Sequence, residues 1–198
     1  MKHLPNILTL GRLALSLLMF AALAAIGAEA WPTAAPWLIR FALAAFVIAA
    51  VTDFFDGWLA RRWGVTSLVG AILDPIADKI LVCGAILGLL AVRAPEVLIP
   101  GGVILFREFA VSALREVLAP KGIKLPVTFL AKSKTTLQLV ALGAMMAIWF
   151  WPVWGLVLPL TQLRVLYRTA SLGLDVAAAV TVWTGLEYGF AAWKALKG

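Results

Sequence analysis

The sequence predicts an all-α integral membrane protein, with six transmembrane helices in one bundle forming a single domain over residues 1–198. Three observations carry that prediction. Only 14% of the residues are charged and 63% are hydrophobic, whereas soluble domains are roughly a quarter charged. Mean hydropathy is +0.99. The apolar residues gather in runs such as ILTLGRLALSLLMFAALAAIGA and WLIRFALAAFVIAAV, near or beyond the ~20 residues that cross ~30 Å of hydrocarbon as a helix.

Proline, glycine and charge punctuate these runs, and the helices are expected over residues 7–27, 37–62, 68–92, 97–118, 130–150 and 171–193. A cleaved leader competes for the first run, with Lys2 as its basic region. The run is long for a leader core and lacks a small-x-small site before a polar start, so a retained helix is expected. The connection AEAWPTAAP carries no Lys or Arg, and WFWPVW near residue 150 is aromatic, as at a membrane interface. Lys2, Arg61, Arg62, Arg115, Lys121, Lys124, Lys132, Lys134, Lys194 and Lys197 collect on the other side. By the positive-inside rule both termini face the cytoplasm. Residues 152–170 fit this scheme least, because Arg164 and Arg168 would lie outside. Either the stretch is an interfacial helix or its charges sit among outer headgroups.

The net charge of +7 in so apolar a chain points to anionic lipid headgroups and to orientation, not to nucleic acid. Cys83 is the one cysteine and His3 the one histidine. That leaves no intrachain disulfide, no cysteine zinc cluster, and almost nothing for a His-dependent hydrolase. The nine tryptophans lie mostly near the ends of the expected spans and read as interfacial belts.

Against this background DFFDGWLARRWGVTSLVGAILDPIADK, residues 53–79, holds four aspartates. Asp53 and Asp56 stand at i, i+3, and Asp74 and Asp78 at i, i+4, so each pair shares a helix face. The first pair closes the second span and the second opens the third. Four neighbouring carboxylates raise one another's pKa unless a cation intervenes. Oxygen-only ligation selects a hard ion, Mg²⁺ or Mn²⁺, and four carboxylates suffice to bridge two of them. Two such ions ~3.5–4 Å apart suit phosphoryl displacement. An EF-hand loop does not fit the Asp-x-x-Asp-Gly spacing. The plainer alternative pairs the aspartates with Arg61 and Lys79 at helix ends, but four ionisable groups inside a membrane are costly and usually functional. A divalent-cation transporter is the alternative of another class, and it leaves the spacing of Gly57 and Arg61 unexplained. Gly57 permits close approach to the backbone, Arg61 can read phosphate bidentately, and Gly70 serves either a ligand or helix packing.

Asp53-x-x-Asp56-Gly57-x-x-Ala60-Arg61, eight residues, then Gly70-x-x-x-Asp74-x-x-x-Asp78 resembles the complete signature of the CDP-alcohol phosphotransferases. The resemblance implies a six-helix membrane enzyme, usually a homodimer, that moves a phospho group from a CDP-linked donor to an alcohol and releases CMP. It implies that Asp53, Asp56, Asp74 and Asp78 hold two divalent cations, with Asp78 also the general base. It implies that Gly57, Arg61 and Ser67 contact the cytidine nucleotide and its diphosphate. Asn6 and Thr9 either cap the first helix or touch the nucleotide.

PNILTLGRL, REFAVSALRE and KSKTTLQLVAL are similar to segments of the bacterial members of the family that use CDP-diacylglycerol and glycerol 3-phosphate, at the cytoplasmic face of the inner membrane. Arg107 and Arg115, eight residues apart, share a face of the fourth span, and Lys132 and Lys134 begin the fifth. Such cations suit an acceptor that already bears a phosphate. Two readings stand beside this one: Lys132 and Lys134 as positive-inside anchors, and Arg107 as one half of an ion pair with an acidic residue in the bundle. Glu108 and Glu116 are natural orienting partners for the arginines. Another alcohol as acceptor remains the alternative within the same chemistry.

Overall fold

A computed structural model describes residues 4–63, 68–122 and 129–197, with side chains at all of these except 4–7, 54–63, 68–72, 74, 121, 129, 131 and 132. Six α-helices follow in order: α1 (Leu4–Gly27), α2 (Ala35–Trp63), α3 (Leu68–Ala91), α4 (Leu98–Leu118), α5 (Phe129–Trp149) and α6 (Leu160–Lys197). Short 3₁₀ turns at Pro32–Ala34, Pro95–Val97, Ala119–Lys121 and Trp151–Trp154 punctuate them. Among the described residues, four stretches are long and apolar enough to cross a bilayer: Leu8–Gly27, Pro32–Asp53, Pro95–Leu118 and Leu160–Lys197. α3 and α5, at 24 and 21 residues, also have spanning length and carry their charges toward one end. The chain is an all-helical integral membrane protein.

The chain divides into two compact units, Met1–Pro95 with Met146–Pro159, and Glu96–Met145 with Leu160–Gly198. In the first unit α1 is the central helix and packs along both α2 and α3, which meet each other only lightly. Small residues allow this. A Cβ added to Gly88 of α3 would lie 2.9 Å from the Cβ of Leu23 on α1, and one added to Gly84 would lie 3.2 Å from Met19 Cε. Gly84-x-x-x-Gly88 is thus a small-residue seam that lets two membrane helices approach closely. Around it Met19, Leu23, Ala45, Phe46, Ala85 and Leu89 are buried.

α1 ends in a Schellman turn: Ala30 N–H donates to the Ala25 carbonyl at 3.1 Å and Glu29 N–H to that of Ile26 at 3.0 Å. α3 ends the same way, through Ala94 to Leu89 and Arg93 to Leu90, each at 3.0 Å. Both turns place a non-glycine residue in the left-handed region, Glu29 at φ 54° and Arg93 at φ 62°.

In the second unit α4 packs along α6, and α5 reaches them through polar side chains. Gln138 of α5 donates to Thr181 Oγ1 of α6 at 2.8 Å, both buried.

The expected boundaries of α1 to α5 lie within a few residues of those observed. The last helix does not: it begins at Leu160, not near 171, and runs 38 residues, about 57 Å at 1.5 Å per residue. Arg164 and Arg168 therefore belong to its first turns and not to a separate interfacial segment. Pro159 stops extension backward, and no proline interrupts the chain from Leu160 to Lys197, so the helix persists where the apolar run does not.

Candidate active site

One face of α1 is polar. Thr9, Arg12 and Ser16 stand at i, i+3 and i+7, one stripe of a helix, and all three are buried. The Ser16 hydroxyl donates to Arg12's own carbonyl at 2.8 Å. Arg12 is 2% exposed. Its Nη1 donates to Oδ1 of Asp53 on α2 and, at 2.5 Å, to Oδ1 of Asp78 on α3. The central helix thus offers one guanidinium nitrogen to carboxylates from both helices packed along it. A guanidinium taken out of water costs several kcal/mol, and two anionic acceptors offset that cost.

The carboxylates are not sealed with it. The side chains of Asp53 and Asp78 keep 32% and 44% of their surface exposed, so an ion or substrate can reach them from the side away from Arg12. Two carboxylates converging on one positive centre form a hard-oxygen donor set of the kind Mg²⁺ and Mn²⁺ select. The guanidinium stands where positive charge is required, and in that sense the residues fit the expected metal. Asp56 stands one turn after Asp53 on α2, and Asp74 one turn before Asp78 on α3. Their side chains lie outside the described ones, as do those of Asn6, Gly57, Arg61 and Lys132, and Ser67 lies outside the described residues. Among the described residues no three of His, Cys, Asp and Glu gather around one point.

Among the described side chains, the cation that Asp53 and Asp78 meet is Arg12; the pairing with Arg61 weighed from the sequence falls on a side chain outside the described ones. Sequence reasoning missed this residue, although an arginine inside an apolar run is a functional signal in its own right. The stripe with Thr9 and Ser16 marked the face it would use.

The second unit holds its own charged cluster. Arg107 is 8% exposed and Lys134 3% exposed. Lys134 Nζ of α5 donates to Oε1 of Glu108 on α4, and Arg107 Nη1 lies 3.5 Å from the same oxygen. Arg107 Nη2 donates to Thr184 Oγ1 at 3.3 Å. Arg115 Nη2 donates to the Tyr188 hydroxyl at 2.7 Å. Three of the four cations expected near an acceptor phosphate are therefore described here, against one carboxylate, Glu108, in the same network. Arg107 Nε is buried without a hydrogen-bond partner. The ion-pair reading of Arg107 is met by Glu108, which Arg107 shares with Lys134. Glu108 is the orienting partner expected of it, serving Lys134 first and Arg107 second. Glu187 of α6 accepts the indole N–H of Trp183 at 2.9 Å.

This arrangement agrees with what the chain resembles. The profile of the CDP-alcohol phosphatidyltransferases matches residues 2–183. A protein of Escherichia coli K12 named CDP-diacylglycerol–glycerol-3-phosphate 3-phosphatidyltransferase is 37% identical over 189 residues, which is 94% of this chain and 92% of that one. Proteins of the same name from Rickettsia bellii and Cereibacter sphaeroides are 41% identical over 145 residues and 52% over 110. Those matches cover 72% of this chain and 74% of the Rickettsia protein, and 54% of this chain and 50% of the Cereibacter protein. With nearly its whole length matched and the aspartate signature intact, the chain belongs to the CDP-alcohol phosphatidyltransferase family.

Proposed function

We propose that this protein transfers the phosphatidyl group of CDP-diacylglycerol to glycerol 3-phosphate, giving phosphatidylglycerol phosphate and CMP. The observation that carries the reading is the convergence of Asp53 and Asp78, from two helices, on one cationic centre with an open side. The names of the relatives support the substrates.

Asp53, Asp56, Asp74 and Asp78 would hold two divalent cations, consistent with the metal dependence general to the family. When bound, these ions supply charge neutralisation at the diphosphate. The chain's own groups do the rest. Asp78 accepts the proton of the acceptor hydroxyl as its oxygen bonds to the diacylglycerol-linked phosphorus, and the bond from that phosphorus to the CMP oxygen breaks. Gly57, Arg61, Ser67 and Asn6 bind the CDP-lipid. Arg107, Arg115, Lys132 and Lys134 bind the acceptor's phosphate, whose negative charge suits a cluster in which cations outnumber carboxylates.

The whole chain, residues 1–198, serves as one catalytic domain in the bacterial inner membrane, with its active site and both termini toward the cytoplasm, where Lys194 and Lys197 end α6. The functional form is a homodimer, which the mass of the detergent-solubilised protein tests.

The reaction is tested by CMP release from purified protein given CDP-diacylglycerol and Mg²⁺ or Mn²⁺, with and without glycerol 3-phosphate. Release that requires both metal and glycerol 3-phosphate is expected. Release only with another alcohol would keep the aspartate chemistry and overturn the acceptor. Metal flux across sealed vesicles with no CMP release would favour a transporter.

A further inference from the structure

Thr181, Thr184 and Tyr188 form a second buried polar stripe, on α6, at i, i+3 and i+7. Thr184's hydroxyl lies 3.0 Å from the carbonyl of Val180 in its own helix. Donating there leaves its lone pairs to accept from Arg107. Tyr188 is 3% exposed and meets two arginines at once. The Arg107 guanidinium lies 5.4 Å from its ring centroid and that of Arg115 lies 4.9 Å from it, both within the ~6 Å range of cation–π attraction. The hydroxyl accepts from Arg115, so its own O–H is directed elsewhere. Gly185 completes the surface, since a Cβ there would lie 3.0 Å from Arg107 Cγ and would crowd that side chain.

Two guanidinium groups two turns apart on α4 repel each other and, left alone, would turn toward solvent. An aromatic ring reached by both lowers that repulsion without neutralising either, as a carboxylate would. The cations are thereby fixed and still available to an anion.

We propose that Tyr188 is a positioning residue for the acceptor: its ring and hydroxyl hold Arg107 and Arg115 as a paired phosphate receptor, with Thr184 and Gly185 setting the pose of Arg107. The inference rests on the reading above that these arginines and Lys134 bind the acceptor's phosphate. Tyr188 acts through the arginines, so its removal weakens acceptor binding and leaves donor binding alone.

The test is steady-state kinetics of the full-length protein in detergent micelles, varying glycerol 3-phosphate and CDP-diacylglycerol separately, for wild type, Tyr188→Phe, Tyr188→Leu, Thr184→Val and Lys134→Gln. Tyr188→Phe keeps the ring and loses one charge-assisted hydrogen bond, so the KM for glycerol 3-phosphate is expected to rise about 5-fold. Tyr188→Leu loses the ring as well, and a rise of about 30-fold is expected. Thr184→Val should raise it by a few-fold, with the KM for CDP-diacylglycerol and kcat nearly unchanged in all three. A rise in both KM values together, or a fall in kcat alone, would overturn the positioning role. If Lys134→Gln raises the acceptor KM and the Tyr188 variants do not, the acceptor reading stands and this inference fails. If Lys134→Gln leaves the acceptor KM unchanged, the reading beneath it fails and the inference with it. Should Tyr188→Leu not fold, Tyr188→Phe and Thr184→Val, which change single polar groups, decide the matter alone.

Discussion

Arg12 of α1 and Asp78 of α3 stand 66 residues apart in sequence and 2.5 Å apart in the fold. Asp53 of α2 meets the same guanidinium nitrogen. The first unit therefore places a buried cation against two carboxylates that keep part of their surface exposed, and among the described residues that cation is their shared counter-charge.

Arg12→Gln should expose this dependence. With the guanidinium gone, Asp53 and Asp78 repel each other and lose the counter-charge they share among the described residues. A loss of about 1–3 kcal/mol is expected, at the low end for a broken pair because both carboxylates remain partly hydrated. Thermal unfolding in detergent with a chelator should show a lowered Tm, and added Mg²⁺ should restore more of it than in wild type. An unchanged Tm under both conditions would mean that Arg12 carries no such charge balance.

Asp78→Asn keeps the shape of the side chain and removes its capacity to take a proton. Turnover is expected to fall by about 10²–10⁴-fold, the usual worth of a positioned base, while CDP-diacylglycerol binding persists. CMP release and donor binding measured on the same preparation check this. Near-wild-type turnover would end the general-base assignment.

Much of this was legible in the sequence, and what was not has physical causes. The ends of α1 to α5 coincide with proline, glycine or charge, and these stop an apolar run and a helix at the same place. α6 escaped that rule. Gln162, Arg164 and Arg168 dilute its hydropathy, yet no proline occurs before Lys197, and the glycines at 173, 185 and 189 weaken a helix without ending it. The aspartates were legible because their spacing is local, three or four residues within one helix. Arg12 was not, because its partners come from two other helices and pairing across a bundle leaves no spacing to read. Tyr188 was hidden for the same reason. Its arginines lie on α4, and only the i, i+3, i+7 stripe with Thr181 and Thr184 hinted at a buried polar face.

Gly88 holds α1 and α3 at the distance this site requires. A side chain at that position meets Leu23 at its Cβ, close to the backbone, where a rotamer change gives little relief. Gly88→Ala is expected to cost about 1–3 kcal/mol of stability as the helices part. Metal-dependent CMP release should fall with it, since the displacement reaches Arg12 and Asp78 on the same two helices. Gly102→Ala is the control, as nothing lies within 4 Å of a Cβ there, and it should leave both readouts unchanged. Equal behaviour of the two variants would sink the seam.

Arg93 offers a test in the opposite direction. It ends α3 in the left-handed region at φ 62°, a conformation that costs a residue with a Cβ roughly 1–2 kcal/mol and glycine almost nothing. The hydrogen bond from its N–H to the Leu90 carbonyl, at 3.0 Å, is a backbone bond and survives substitution. Arg93→Gly is therefore expected to stabilise the protein by about 1 kcal/mol, because relief of the folded-state conformation outweighs the added freedom of glycine in the unfolded chain. Comparing unfolding midpoints of the two proteins in one detergent checks it. A lowered midpoint would show that the Arg93 side chain contributes more than its backbone conformation costs.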